Sequence, residues 1–106
     1  MKKIECIIKH ERLEELRNQL IQTGVGGMTI TDVRGFGKQT TRPESYLVLP
    51  KVKVEIYATE EQVDSIVQTI IKVCRKGEIG DGKIALIPVE DLIRIRTGER
   101  QTEAVY

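Results

Sequence analysis

The chain has no tryptophan, one phenylalanine and three tyrosines among its 106 residues. A domain that reads nucleic acid by stacking bases on a sheet face wants aromatic residues there, so that class is poorly served. Histidine is almost absent too. With His10 alone there is nothing from which to build a histidine-based zinc site, and no nucleophile–base pair is visible for a small nucleotide-acting enzyme such as a phosphatase. His10 itself falls on a turn before a helix and reads as solvent-exposed. The two cysteines, Cys6 and Cys74, stand where small apolar residues belong and lack metal-ligand spacing, so they read as reduced core thiols of a cytosolic protein. No run approaches the roughly 18 consecutive apolar residues of a membrane span. The opening Met1-Lys2-Lys3-Ile4-Glu5 is not that of a signal peptide. An excess of one charge is missing as well: 17 Lys+Arg against 16 Asp+Glu leave +1, whereas a general nucleic-acid or membrane surface needs a strong basic surplus on one face.

What is present is a folded composition, 40% hydrophobic and 31% charged, at a length that suits one domain over residues 1–106. Residues 3–9 alternate as a strand with Ile4, Cys6 and Ile8 on one face. Glu11 to Thr23 carries Leu13, Leu16, Leu20 and Ile21 at helical spacing, and Gly24 is a natural stop. A second strand is expected over 28–36 with Met28, Ile30 and Val33 broadly inward, then a polar loop over 37–50 holding Pro43 and Pro50. From Lys51 to Ala58 the alternation is clean, with Val52, Val54 and Ile56 inward. Thr59-Glu60-Glu61-Gln62 has the form of a capping box, and apolar residues at 63, 66, 67, 70, 71 and 74 make a single helical stripe. Strands at 83–88 and, briefly, 93–96 complete the chain. Two βαβ-like halves of similar size predict an α+β fold, a ferredoxin-like βαββαβ sandwich with both helices on one face of an antiparallel sheet. Ile7 and Ile87 are apolar on lines that would serve a monomer better as polar, which points to subunit contacts on the second face.

Two glycine clusters carry the chemistry. Gly80-Asp81-Gly82-Lys83 lies after a helix and before a strand, so it is not a dinucleotide fingerprint, which needs glycines after a strand and opening a helix. Read alone it is a tight turn, with Gly77 capping the helix before it. Arg94 and Arg96 read alone are an exposed strand face. Taken together, close backbone approach at the glycines and cations at Lys83, Arg94 and Arg96 describe an anion site, with a nucleotide as the expected ligand. Gly35-Phe36-Gly37-Lys38-Gln39 is either a plain exit from the second strand or one foot of a second anion site. Lys51 stands at the loop's other foot.

At this point the sequence resembles the PII signal-transduction family along nearly its whole length. The resemblance is carried by Met1-Lys2-Lys3-Ile4-Glu5, Gly27-Met28-Thr29, Val33-Arg34-Gly35-Phe36-Gly37, Leu49-Pro50-Lys51-Val52-Lys53, Gly80-Asp81-Gly82-Lys83-Ile84 and Ile93-Arg94-Ile95-Arg96-Thr97-Gly98-Glu99. It implies a cytoplasmic homotrimer of ferredoxin-like subunits, not an enzyme, that binds ATP or ADP in clefts between neighbours. Such proteins report nitrogen, carbon or energy status by docking a long loop on a target enzyme or transporter, the latter bringing them to the membrane periphery.

Carried over residue by residue, Gly80, Asp81, Gly82 and Lys83 of one subunit would meet the phosphates with Arg94 and Arg96 of its neighbour. Gly35, Phe36, Gly37, Lys38 and Gln39 would line the same cleft, and Ile7 and Thr29 would lie near base and sugar. Loss of one charge-assisted contact is worth ~1.5–3 kcal/mol, so Arg96→Ala is expected to weaken binding roughly tenfold or more. In relatives that sense 2-oxoglutarate, a glutamine matching Gln39 holds Mg²⁺ and a lysine matching Lys51 holds the acid.

The departures are specific. The tyrosine motif that relatives modify is absent between Gln39 and Pro50, and the loop is several residues shorter. Its one tyrosine, Tyr46, sits in Glu44-Ser45-Tyr46-Leu47, a different context, and is expected to pack at the loop's return. Lys38 stands for a usual arginine, Lys76 for a serine or threonine, Ala85 for an aromatic, and His10-Glu11 for Pro-Phe. These mark a divergent, short-loop branch, for which a bicarbonate and adenine-nucleotide sensor tied to carbon transport is the alternative reading.

Overall fold

The computed structural model describes residues 1–37 and 48–106. Strand β1 (Lys2–Ile8) leads through a 3₁₀ turn at His10–Arg12 into helix α1 (Leu13–Gln22). Strands β2 (Thr29–Gly35) and β3 (Leu49–Ala58) follow, then α2 (Glu60–Cys74), β4 (Lys83–Pro88) and a 3₁₀ turn at Gln101–Ala104. The strands form one antiparallel sheet in the order β2-β3-β1-β4, the ferredoxin-like arrangement expected.

Alternation decides which face is buried. Register sets Ile4 opposite Ile56, Cys6 opposite Val54 and Ile8 opposite Val52, and these six are almost wholly buried. Leu16 and Leu20 of α1 and Val63, Ile66, Ile70, Val73 and Cys74 of α2 close on them to form one core. Burying each large aliphatic side chain contributes about 1.5–3 kcal/mol, so this single interface between sheet and helices holds the domain together. Helix α2 starts where expected: the Thr59 backbone N–H donates to Gln62 Oε1 at 3.0 Å.

Two local expectations are corrected. Ile30 and Val33 do not share an inward face. Ile30 pairs with Val54 on the helix side but stays 42% exposed, because β2 is an edge strand that the helices leave partly uncovered. Val33 pairs with Lys51 and belongs to the opposite face. The strand expected at 93–96 is one antiparallel bridge, Ile93 with Arg100, followed by a turn over 95–97. Gly98 at φ +74° turns the chain back, and its N–H donates to the Arg94 carbonyl at 2.7 Å.

Candidate ligand-binding site

Among the described residues, no helix packs on the second sheet face. Its lower part is neutralised internally: Lys3 Nζ lies 2.9 Å from Glu55 and 3.4 Å from Glu5. These partners raise the lysine's pKa through a side-chain hydrogen bond and lower that of Glu55. Higher on the face the charge is not balanced. Lys83 and Lys53 flank Ile7 from the two neighbouring strands, Lys51 lies beyond, and neither Lys51 nor Lys83 has an ion-pair partner among the described residues.

A cavity of about 850 Å³ opens here. Ile7 and Glu5 of β1 form its floor, and Gly35, Phe36 and Gly37 form one wall at the exit of β2. Ile79, Gly80, Gly82 and Lys83 form the other wall, and Lys51 stands at the start of β3. Its volume falls within the roughly 300–1,000 Å³ of small-molecule sites. The fold therefore brings both glycine clusters to one hollow, though they lie more than forty residues apart in sequence.

The 76–82 loop owes its shape to Asp81. One carboxylate oxygen, Oδ2, accepts backbone N–H bonds from Lys76 at 2.8 Å, Gly77 at 3.0 Å and Glu78 at 3.3 Å. The Lys76 bond is the largest influence holding the Asp81 carboxyl below the usual range. The Asp81 N–H is itself directed at the Glu78 carbonyl at 3.3 Å, and Lys9 reaches Glu78 at 3.5 Å across the loop. Asp81 thus builds the cradle through Oδ2, while Oδ1 is buried with no hydrogen-bond partner among the described residues. Gly82, at φ +110°, runs so close to β1 that a Cβ there would stand 2.2 Å from the Ile7 carbonyl oxygen. Only glycine lets the loop lie flat against the strand.

The remaining candidates fall elsewhere. Thr29 pairs with Glu55 on the open face, outside the cavity lining. Arg94 and Arg96 lie on the C-terminal hairpin and do not line the cavity of their own chain. Lys38, Gln39 and Tyr46 lie outside the described residues. Ile84, Ala85, Glu5 and Ile79 also line the cavity, although the sequence marks none of them as a ligand contact. The first three follow from the β1–β4 register. Ile79, 67% exposed, is an apolar residue left in a glycine loop, and that is the only signal it gives.

Behind the loop a smaller space of about 280 Å³ is lined by Cys6, Cys74 and Asp81. Both thiols are free and buried, and burial pushes the Cys6 thiol up to about 12. Among the described residues no cluster of ligating side chains could hold a metal ion.

Fold and site together define a ferredoxin-like domain whose open sheet face holds a glycine-walled, lysine-bearing hollow suited to a small anion. Known proteins make the assignment narrower. The family described as "Nitrogen regulatory protein P-II" matches residues 1–99. The nitrogen regulatory protein P-II of Nostoc punctiforme is 50% identical, over 99% of this chain and 100% of its own. P-II 1 of Escherichia coli is 46% identical with the same coverage. Both matches run over 112 residues against 106 here, in keeping with a shortened segment. A crystal structure of Arabidopsis thaliana PII bound to citrate superposes with a TM-score of 0.83 at 43% identity, covering 98% of this chain and 88% of that one. The chain belongs to the nitrogen regulatory P-II family of signal-transduction proteins.

Proposed function

We propose that this protein is a trimeric sensor of ADP and ATP, working in the cytoplasm, whose 37–50 loop carries the signal to a partner protein. One observation carries the reading. A hollow of nucleotide size has two glycine walls and two lysines without ion-pair partners among the described residues, while Arg94 and Arg96 of the same chain are not among the residues that line it. A second subunit presenting its 94–96 segment would complete the site. The apolar Ile7 and Ile87 on the open face, 42% and 36% exposed, support a subunit interface there. Citrate in the Arabidopsis relative supports a small polyanion as a ligand type for this fold.

In this reading the diphosphate lies along Gly80–Lys83, where flat backbone allows close approach and Lys83 supplies charge. The family resemblance would add Lys38 and Gln39 as further ligand contacts, with Thr29 and Ile7 toward base and sugar. Lys51, at the far end of the hollow, would hold a second small anion. 2-Oxoglutarate, with Mg²⁺ on Gln39, or bicarbonate would fill that role. Signalling requires the second ligand to prefer one loop conformation, since equal affinity for both shifts nothing.

The experiment is a calorimetric titration with ATP, ADP and AMP, each with and without 2-oxoglutarate or bicarbonate. Saturable binding that needs at least two phosphates is expected. Absence of heat with every adenine nucleotide would overturn the reading.

A further inference from the structure

Tyr106 reaches back to the first turn of α2, where Gln62 serves two contacts at once. Gln62 Oε1 accepts the Thr59 N–H at 3.0 Å in the capping box, which leaves Nε2 to donate to the Tyr106 hydroxyl at 2.9 Å. The ring and backbone of Tyr106 also lie against Gly26, in the connection from α1 to β2. A Cβ on Gly26 would stand 3.1 Å from ring carbon Cδ1 and 3.4 Å from the Tyr106 Cα. Gly26 lacks the positive φ that calls for glycine at Gly24, so the physical reason for a glycine here is the room that Tyr106 takes. The segment between this socket and the 93–100 hairpin is tied down as well. Gln101, at φ +56°, makes the kink and donates its N–H to the Leu92 carbonyl at 2.9 Å. Arg94 Nη2 donates to the Glu103 carbonyl at 2.9 Å, and Ala104 and Val105 are half-buried. Tyr106 itself stays 62% exposed, so a small change can open its contact.

Resting on the proposed nucleotide site, we infer that Tyr106 is a positioning residue, a latch that anchors the arm 93–106 to its own subunit through Gln62 and Gly26 and so fixes where the hairpin meets the neighbouring subunit. The bonds within the hairpin, from the Arg94 N–H to the Glu99 carbonyl and across the Ile93–Arg100 bridge, set its shape. They do not place it on the domain. Placement comes from the two ends of the arm: β4 leads into one, and the Tyr106 socket holds the other. An arm held at both ends has less freedom left to lose when it meets a ligand, so less of the contact energy is spent on ordering it.

The test compares the intact oligomer as native protein, Tyr106→Ala, Tyr106→Phe, Gly26→Ala and the double variant G26A/Y106A, with assembly checked by light scattering. It reads amide hydrogen exchange over 93–105 by mass spectrometry, and affinity for ADP and for AMP by calorimetry. Tyr106→Ala is expected to speed exchange over 93–105 severalfold while α1, α2 and the melting temperature stay close to native. ADP should bind severalfold more weakly and AMP nearly as before. Tyr106→Phe keeps the ring in its socket but gives up the Gln62 bond, and should fall between native and Tyr106→Ala. Gly26→Ala should loosen the arm too, and should add little on top of Tyr106→Ala because both act on one contact. A role in stability alone would lower the melting temperature and weaken ADP and AMP together, and that pattern would overturn the assignment. Exchange over 93–105 as slow in Tyr106→Ala as in native protein would overturn it equally, as would a loosened arm with unaltered ADP affinity. A native protein whose arm exchanges slowly but which takes up no ADP would instead remove the proposed function, a distinguishable result.

Discussion

Gly82 lies so near β1 that a Cβ on it would meet the Ile7 carbonyl oxygen at 2.2 Å. Because φ there is +110°, an alanine would also be strained by its own backbone. Gly82→Ala is therefore expected to destabilise the domain by about 2 kcal/mol or more. It should also displace Lys83, the first residue of β4. Urea unfolding of the variant checks the first effect. An unchanged midpoint would show that the loop can move off the strand at little cost.

Asp81 ties the same loop through three backbone N–H groups, and its carboxyl titrates below its ordinary value near 3.8. A carboxyl whose folded pKa is depressed contributes stability in full above its unfolded value. That contribution is lost as pH falls through the folded one. Asp81→Asn should therefore lower Tm at pH 7, and the gap to native protein should narrow below about pH 4. Thermal melts of both proteins between pH 3 and 7 check it. A gap constant with pH would mean that the charge of Asp81 does not matter.

Lys83 faces the hollow with no ion-pair partner among the described residues, so its removal leaves no buried charge behind. Lys83→Ala should keep its melting temperature within a few degrees and weaken ADP roughly tenfold, the worth of one charge-assisted contact. Lys83→Arg should recover part of the loss. An ADP affinity unaltered in Lys83→Ala would place the phosphates elsewhere.

Cys6 and Cys74 are buried and unbridged, and burial raises both thiols, Cys6 to about 12. The thiolate is the reactive form. Alkylation by iodoacetamide at pH 8 should accordingly be slow in the native protein and complete for both residues in denaturant, as read by mass spectrometry. Rapid native labelling would contradict the packing described.

Much of the fold was legible because its elements have strong periods. The stripe on α2 and the alternation Val52, Val54, Ile56 leave one way to bury them, and Thr59 with Gln62 marks the helix start. Val33 misleads because it stands an odd number of residues from Ile30 and so takes the opposite face, while Ile30 faces the helices but stays half exposed on an edge strand they leave partly uncovered. Ile93-Arg94-Ile95-Arg96 alternates like a strand, yet Gly98 and the Arg94–Glu99 pair fold it into a hairpin with one bridge. In the site, the glycines announced themselves by composition. That Glu5 and Ala85 share its floor depends on register, which no single segment encodes. One carboxylate oxygen of Asp81 is taken by the loop's own N–H groups, a local turn contact that the glycine motif does not reveal, while the other is buried without a partner among the described residues. Lys38 and Gln39 remain expectations, since both lie outside the described residues.

Whether the ligand site is shared between subunits, as proposed, is decided most directly by native mass spectrometry of the protein with added ADP. Three chains carrying up to three ADP molecules are expected, with Arg96→Ala trimers keeping the assembly and taking up ADP roughly tenfold more weakly. A monomer that binds ADP on its own, or a trimer that takes up none, would contradict it.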